Sequence, residues 1–243
     1  MLDMIKDAVT RAFRQNQLSW LLSAVTDWSY EEGNAPAFAK YVKLFEDSGT
    51  PITLSSRMRL GVNGYLEEAL KASSLTVTAR RRTNGFDFSV SSNLGETADI
   101  ESKLSYDCTM PKYYKEIAQD RVKLIADASA SGLYQVVFLV SLPAYSYPAG
   151  EWSRKQFKAR QTVYLGIADQ WNAIQGQPGM KVPTVWDDGG PLIFQFDPHI
   201  VSSADSYLKR FFNSNFRPST NWAIDPSRHF AGAAVGIALW KWR

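Results

Sequence analysis

The chain opens with apolar residues at helical spacing. In MLDMIKDAVTRAFRQ, Leu2, Ile5, Val9 and Phe13 fall on one face with charges between them, the pattern of a helix packed on one side. Residues 18–46 keep apolar and aromatic positions at mostly helical spacing, broken at Gly33-Asn34-Ala35-Pro36, which predicts a helical hairpin. A further helix is expected from Ser55 to about Ala72. Leu60, Tyr65, Leu66, Ala69 and Leu70 form its apolar face, and Asn63-Gly64 is a point where it can divide.

The period then changes to two. LTVTARRR, GFDFSVSS and ADIESKLSYD each alternate apolar or β-branched residues with polar ones, and SNLGET between the last two supplies Asn93 and Gly95 for a turn. These three segments predict an antiparallel meander. Pro111 then stands where a first helical turn tolerates it, and Tyr114, Ile117, Ala118, Ile125 and Ala128 lie near one face of a helix closed by Gly132. YQVVFLVSLP is a continuous apolar run, as a strand buried on both faces requires. Helix, three strands, helix and strand together predict an α/β fold with a mixed sheet and helices on its faces. Beyond Pro143, TVYLGIADQW and PLIFQFDP read as strands, SSADSYLKRFFNSNF as a helix, and Trp186 to Pro191 as a turn-rich loop. No linker separates independent domains. The expected division is an N-terminal helical extension (1–54), a core (55–143) and a C-terminal mixed α/β extension (144–243) of the same globule.

Composition narrows the class. With 243 residues, 45% hydrophobic and 13% aromatic, the chain can bury a large core. The N-terminal helix lacks the unbroken apolar stretch of a secretory signal. The apolar stretch from Phe230 to Trp240 is shorter than the ~20 residues of a membrane span. A cytoplasmic protein with no membrane association is therefore expected. Cys108 is the single cysteine, and His199 and His229 are the two histidines, so cysteine-based and histidine-rich metal centres are excluded. Any metal must sit on carboxylates, which favours Mg²⁺ or Mn²⁺. The net charge of +3 does not by itself argue for nucleic acid. Its distribution is uneven, however: Arg154, Lys155, Lys158 and Arg160 cluster against Glu151, Arg80 to Arg82 form a run, and six basic residues face two acids from 201 onward. Such clusters can neutralise phosphates.

The candidate chemistry lies in the second and third strands of the meander. Strand alternation sends Asp99, Glu101 and Lys103 to one face, and Asp87 opposite in sense to Phe86 and Phe88. A hairpin symmetric about Leu94 pairs residues whose numbers sum to 188, which sets Asp87 across from Glu101, at a Cβ separation of ~4.5–5.5 Å. Two facing carboxylates are unfavourable unless a cation offsets them. Asp99 lies one pair nearer the turn, where a surface position is expected.

This arrangement, with Asp87 in the second strand and Glu101-Ser102-Lys103 in the third, resembles the core of PD-(D/E)XK nucleases over residues 55–143. The resemblance implies a restriction-endonuclease-like sheet and Mg²⁺-dependent (or Mn²⁺-dependent) hydrolysis of nucleic acid, DNA ahead of RNA. Asp87 and Glu101 would be metal ligands and Lys103 would assist the water. It further implies that Glu67 or Glu68 of the first core helix completes the metal site, and that Gln119, on a helical stripe with Lys115 and Lys123, joins the catalytic group. No Pro precedes Asp87; Gly85-Phe86 stands there, which weakens any subfamily assignment. Arg154, Lys155, Lys158 and Arg160 are candidates for holding the nucleic-acid backbone. Restriction, phage defence, repair or a toxin's action would all suit such an enzyme, with a second copy or another protein as a further partner. The competing reading is a non-catalytic binding protein on the same scaffold, an immunity or inhibitor protein or a nucleic-acid-binding module.

Overall fold

The computed structural model describes residues 1–15, 17, 18, 21, 63–79, 87–106, 110–127, 131–141, 166–215 and 232–243. The expected hairpin at 18–46, the start of the helix expected from Ser55 and the basic residues at 80–82 and 154–160 lie almost wholly outside these residues.

Helix α1 (Leu2–Gln15) buries Ile5, Ala8, Val9, Ala12 and Phe13; Ile5, Val9 and Phe13 belong to the apolar stripe read from the sequence, and Leu2 is half-buried. Helix α2 (Asn63–Ala72) leads into strand β1 (Thr76–Ala79). Strands β2 (Phe88–Ser91) and β3 (Thr97–Tyr106) follow, then helix α3 (Met110–Asp127), which carries Pro111 in its first turn, and strand β4 (Gly132–Ser141). Helix α4 (Ile167–Gln175), strand β5 (Leu192–Gln195), helix α5 (Pro198–Asn215) and strand β6 (Ala234–Lys241) complete the described chain.

The six strands form one mixed sheet in the order β1-β2-β3-β4-β6-β5. β1, β2 and β3 make the antiparallel meander, and α3 crosses over to bring β4 parallel to β3. The turn between β2 and β3 is closed by Ser92 N–H to the Glu96 carbonyl at 2.9 Å. Gly95 there has φ of +78°, a left-handed conformation that side chains resist. The β2–β3 register, with Phe88 opposite Ile100 and Ser89 opposite Asp99, is the one expected from symmetry about Leu94.

Alternation divides each strand between two core layers. Phe88, Val90, Ala98, Ile100, Tyr134, Val136, Phe138, Val235 and Ile237 pack with α1, α2 and Ala204 of α5. Val137, Leu139, Ala234, Ala238 and Trp240 pack on the other face with Tyr114, Ile117 and Ala118 of α3 and Ile167 and Ile174 of α4. All ten residues of β4 are buried, as the unbroken apolar run requires of a central strand flanked by helices.

Two expectations beyond Pro143 change. Ile167 to Trp171 form part of α4 rather than a strand, because Ile167, Gln170 and Ile174 recur at helical spacing and are the residues that become buried. Gly236 of β6 accommodates this helix: a Cβ there would lie 2.7 Å from the Ile167 side chain. Helix α5 starts four residues before Ser202. Pro198 occupies its first position, and the Asp197 carboxylate accepts the His199 backbone N–H at 2.7 Å. The apolar stretch 234–241 is a strand between β4 and β5, so the C-terminal segment completes the sheet begun by the meander.

Candidate active site

Asp87 immediately precedes β2, and continuing the β2–β3 register by one pair sets it opposite Glu101. Two contacts tie these positions together. The Asp87 backbone N–H donates to the Glu101 carboxyl group. The Asp87 carboxylate, through Oδ2, accepts the Ser102 backbone N–H at 2.9 Å and the Ser102 hydroxyl at 2.7 Å. Ser102, the variable residue of the Glu101-Ser102-Lys103 triplet, thus anchors Asp87 at the third strand. Its type alone gave no signal of this.

Glu101 is half-buried on the sheet face that α3 covers, and its pKa is pushed up from 4.5 to about 8. Burial is the largest cause, because a charged carboxylate loses hydration there; the negative charges of Asp87 and then Asp120 add to it. The Lys103 ammonium and the Asp87 N–H act in the opposite direction. Burial and the neighbouring carboxylates thus favour the protonated form of Glu101.

Lys103 stands two residues on, on the same face. Its Nζ lies 2.5 Å from Asp120 Oδ2 and 3.7 Å from Glu116 Oε2, both on α3. These two acids were not singled out from the sequence. The stripe singled out, Lys115, Gln119 and Lys123, is exposed on the same helix, so Gln119 is not brought to the cluster. Both stripes have a spacing of four, and they lie on opposite flanks of the buried stripe Tyr114, Ile117 and Ala118. Which flank overlooks β3 depends on the direction of the crossover, and that would have been the usable signal.

Glu67 and Glu68 are placed elsewhere. α2 turns Leu66, Ala69 and Leu70 into the layer beneath Phe88 and Ile100, on the face opposite Glu101. Glu67 pairs with Lys71 at 2.5 Å, one turn along, and Glu68 is exposed. Asp99 corrects another expectation: it is buried, 1% exposed, because β4 runs alongside it, with Leu133 as its register partner. Its Oδ1 accepts the Ser89 hydroxyl at 2.6 Å across the hairpin. Gln135 is Glu101's register partner on β4; it is fully buried and donates from Nε2 to the Ile117 carbonyl of α3. It was not singled out either.

Trp240 is fully buried and sandwiched between Trp171 and Trp242, with ring centroids 5.4 and 5.8 Å away. Arg121 lies 4.7 Å from the Trp242 ring. These rings build the core under α3 and α4. Asp188 and Gly190 form a turn, as expected: the Gly190 N–H donates to Asp188 Oδ1 at 2.9 Å.

Among the described residues, no three His, Cys, Asp or Glu side chains are gathered in metal-binding geometry as they stand. No helix there is long and apolar enough to cross a membrane. The donor set is nonetheless all oxygen and carries excess negative charge. Asp87, Asp120 and Glu116 surround Glu101 and Lys103, and the charges of Asp87 and Asp120 both reach Glu101. Oxygen donors of this kind are what a hard divalent cation takes. Comparisons with protein-family models, with curated proteins and with solved structures found no significant match for the chain.

Proposed function

We propose that the protein is a Mg²⁺-dependent nuclease of the PD-(D/E)XK type, acting on DNA ahead of RNA. The observation that carries this reading is that the β2–β3 register sets Asp87 beside Glu101, the Asp87 N–H donating to the Glu101 carboxyl group, with Lys103 two residues on in β3. Crowding of Glu101 by burial and by the Asp87 charge disfavours its ionised form, and a bound divalent cation would offset that cost. The sheet supports the reading as well, since an antiparallel meander followed by a crossover helix and a parallel strand is the arrangement the resemblance implies.

A bound divalent ion would supply charge stabilisation at the scissile phosphate and an acidified water. Asp87 and Glu101 would hold it, Ser102 fixing the Asp87 carboxylate. Lys103 would place its ammonium where charge develops in the transition state. Arg154, Lys155, Lys158 and Arg160 would bind the backbone through phosphates. The cellular setting, whether restriction, defence, repair or toxicity, follows from substrate preference.

Nicking of supercoiled plasmid with Mg²⁺, abolished by EDTA and by Glu101→Gln, is the expected result. Nicking that survives EDTA or Glu101→Gln would sink the proposal. One observation favours the non-catalytic binding protein: Asp120 and Glu116 already neutralise Lys103, as in a structural ion-pair network. Nucleic-acid or protein binding that ignores divalent ions, with no cleavage, would select that reading.

A further inference from the structure

α3 is fixed over the sheet at the height of the cluster. Tyr114, Ile117 and Ala118 pack against Val137 and Leu139 of β4, and Gln135, the register partner of Glu101, donates to the Ile117 carbonyl. Glu116 and Asp120 flank Ile117 at a spacing of four, so they share one side of the helix. A pair of like charges at that spacing weakens a helix when nothing stands between them. Here the Lys103 ammonium does, with Asp120 at 2.5 Å and Glu116 at 3.7 Å.

We infer that Asp120, assisted by Glu116, is the positioning residue that holds the Lys103 ammonium beside the Asp87–Glu101 pair. The inference rests on the nuclease reading for its catalytic consequence, but the contact itself can be tested apart from it. A lysine side chain on a strand has a long flexible stem and, unheld, extends into solvent. Held from α3 at two points, its tip stays over the face of β3 that carries Glu101. Asp120 touches neither substrate nor metal in this role; it acts through Lys103.

Two readouts separate this from a merely structural role. The first is the ¹⁵N-ammonium cross-peak of Lys103, assigned by its loss in Lys103→Ala. It is observable when slow exchange accompanies a held, half-buried amine. It is expected in the wild type, absent in Asp120→Asn, weakened in Glu116→Gln and restored in Asp120→Glu. The second is plasmid cleavage, for which Asp120→Asn should lower kcat roughly tenfold to a hundredfold with KM little changed, the scale of a misplaced catalytic group. Mn²⁺ should still bind. Persistence of the cross-peak in Asp120→Asn, an unchanged kcat in an active enzyme, or loss of Mn²⁺ binding would each overturn the inference, the last by making Asp120 a ligand. If the wild type cleaves neither DNA nor RNA with Mg²⁺ or Mn²⁺, the nuclease reading fails. The cross-peak then decides the contact by itself: its loss in Asp120→Asn upholds the contact, its persistence overturns it.

Discussion

Strands β3 and β4 lie side by side in parallel over nine register pairs, yet they bury opposite chemistries beneath the same helix. β4 offers Val137 and Leu139 to Tyr114, Ile117 and Ala118. β3 offers Asp99, Glu101 and Lys103, which meet Ser89, Asp87, Glu116 and Asp120. Apart from Gln135, which donates to the Ile117 carbonyl, the β4 half is a hydrophobic contact and contributes stability in proportion to the area removed from water. The β3 half loses hydration without that return, and polar contacts with Ser89, Asp120 and Glu116 hold its members. A polar stripe beside an apolar one is what the proposed nuclease site would require.

The largest effect should separate the two strands by function. Lys103→Ala is expected to lower the cleavage rate on the order of 10²–10³-fold, the range for removing one electrostatic group from a transition state, while leaving the fold intact. A Lys103→Ala protein that cleaves at the wild-type rate would show that β3 carries no catalysis.

The β4 counterpart should behave the other way. Leu139 is fully buried, and Leu139→Ala should cost about 2–5 kcal/mol in urea unfolding, through lost burial and the cavity left behind. A cost below that of Lys103→Ala would contradict the division of labour.

pH sharpens the comparison further. The native pKa of Glu101, about 8, lies above its ordinary value of 4.5, so the unfolded chain gives up the proton more readily. The contribution of Glu101 is therefore fully present below pH 4.5 and is lost as pH rises through about 8. Wild-type stability should fall across that window relative to Glu101→Gln, in which the group cannot ionise. Parallel stability–pH curves for the two proteins would contradict the buried, charge-crowded placement of Glu101. The smallest effect is expected at Gln119: because it is exposed on the other flank of α3 from Asp120, Gln119→Ala should change stability by less than ~0.5 kcal/mol and leave cleavage near wild type.

Much of this arrangement was legible in the chain. The alternation in ADIESKLSYD set Glu101 and Lys103 on one face, and the turn at Leu94 fixed the register with β2, because a period of two and a symmetric hairpin leave little freedom. What sequence could not supply was the third dimension above the strand. A stripe of four-residue spacing exists on both flanks of α3, and only the crossover places Asp120 rather than Gln119 over β3. Asp99 reads as surface until β4 is laid beside it. Glu67 and Glu68 stand on a helix whose apolar residues commit it to the opposite layer. Ile167 to Trp171, as apolar as a strand, become a helix through the spacing of the three residues that end up buried.

The claim on which the rest depends is that Asp87 and Glu101 together hold a divalent ion, and cleavage assays test it only through a substrate that must first be guessed. Mn²⁺ binding, followed by calorimetry near pH 7 in buffers of different ionisation enthalpy, tests it without one. Because Glu101 is protonated below about pH 8, the wild type should bind Mn²⁺ with release of up to one proton, and less tightly as pH falls. Asp87→Ala and Glu101→Gln should each lose most of the affinity, and the proton release should vanish in Glu101→Gln. Equal Mn²⁺ affinity and equal proton release in the wild type and both variants would contradict the account.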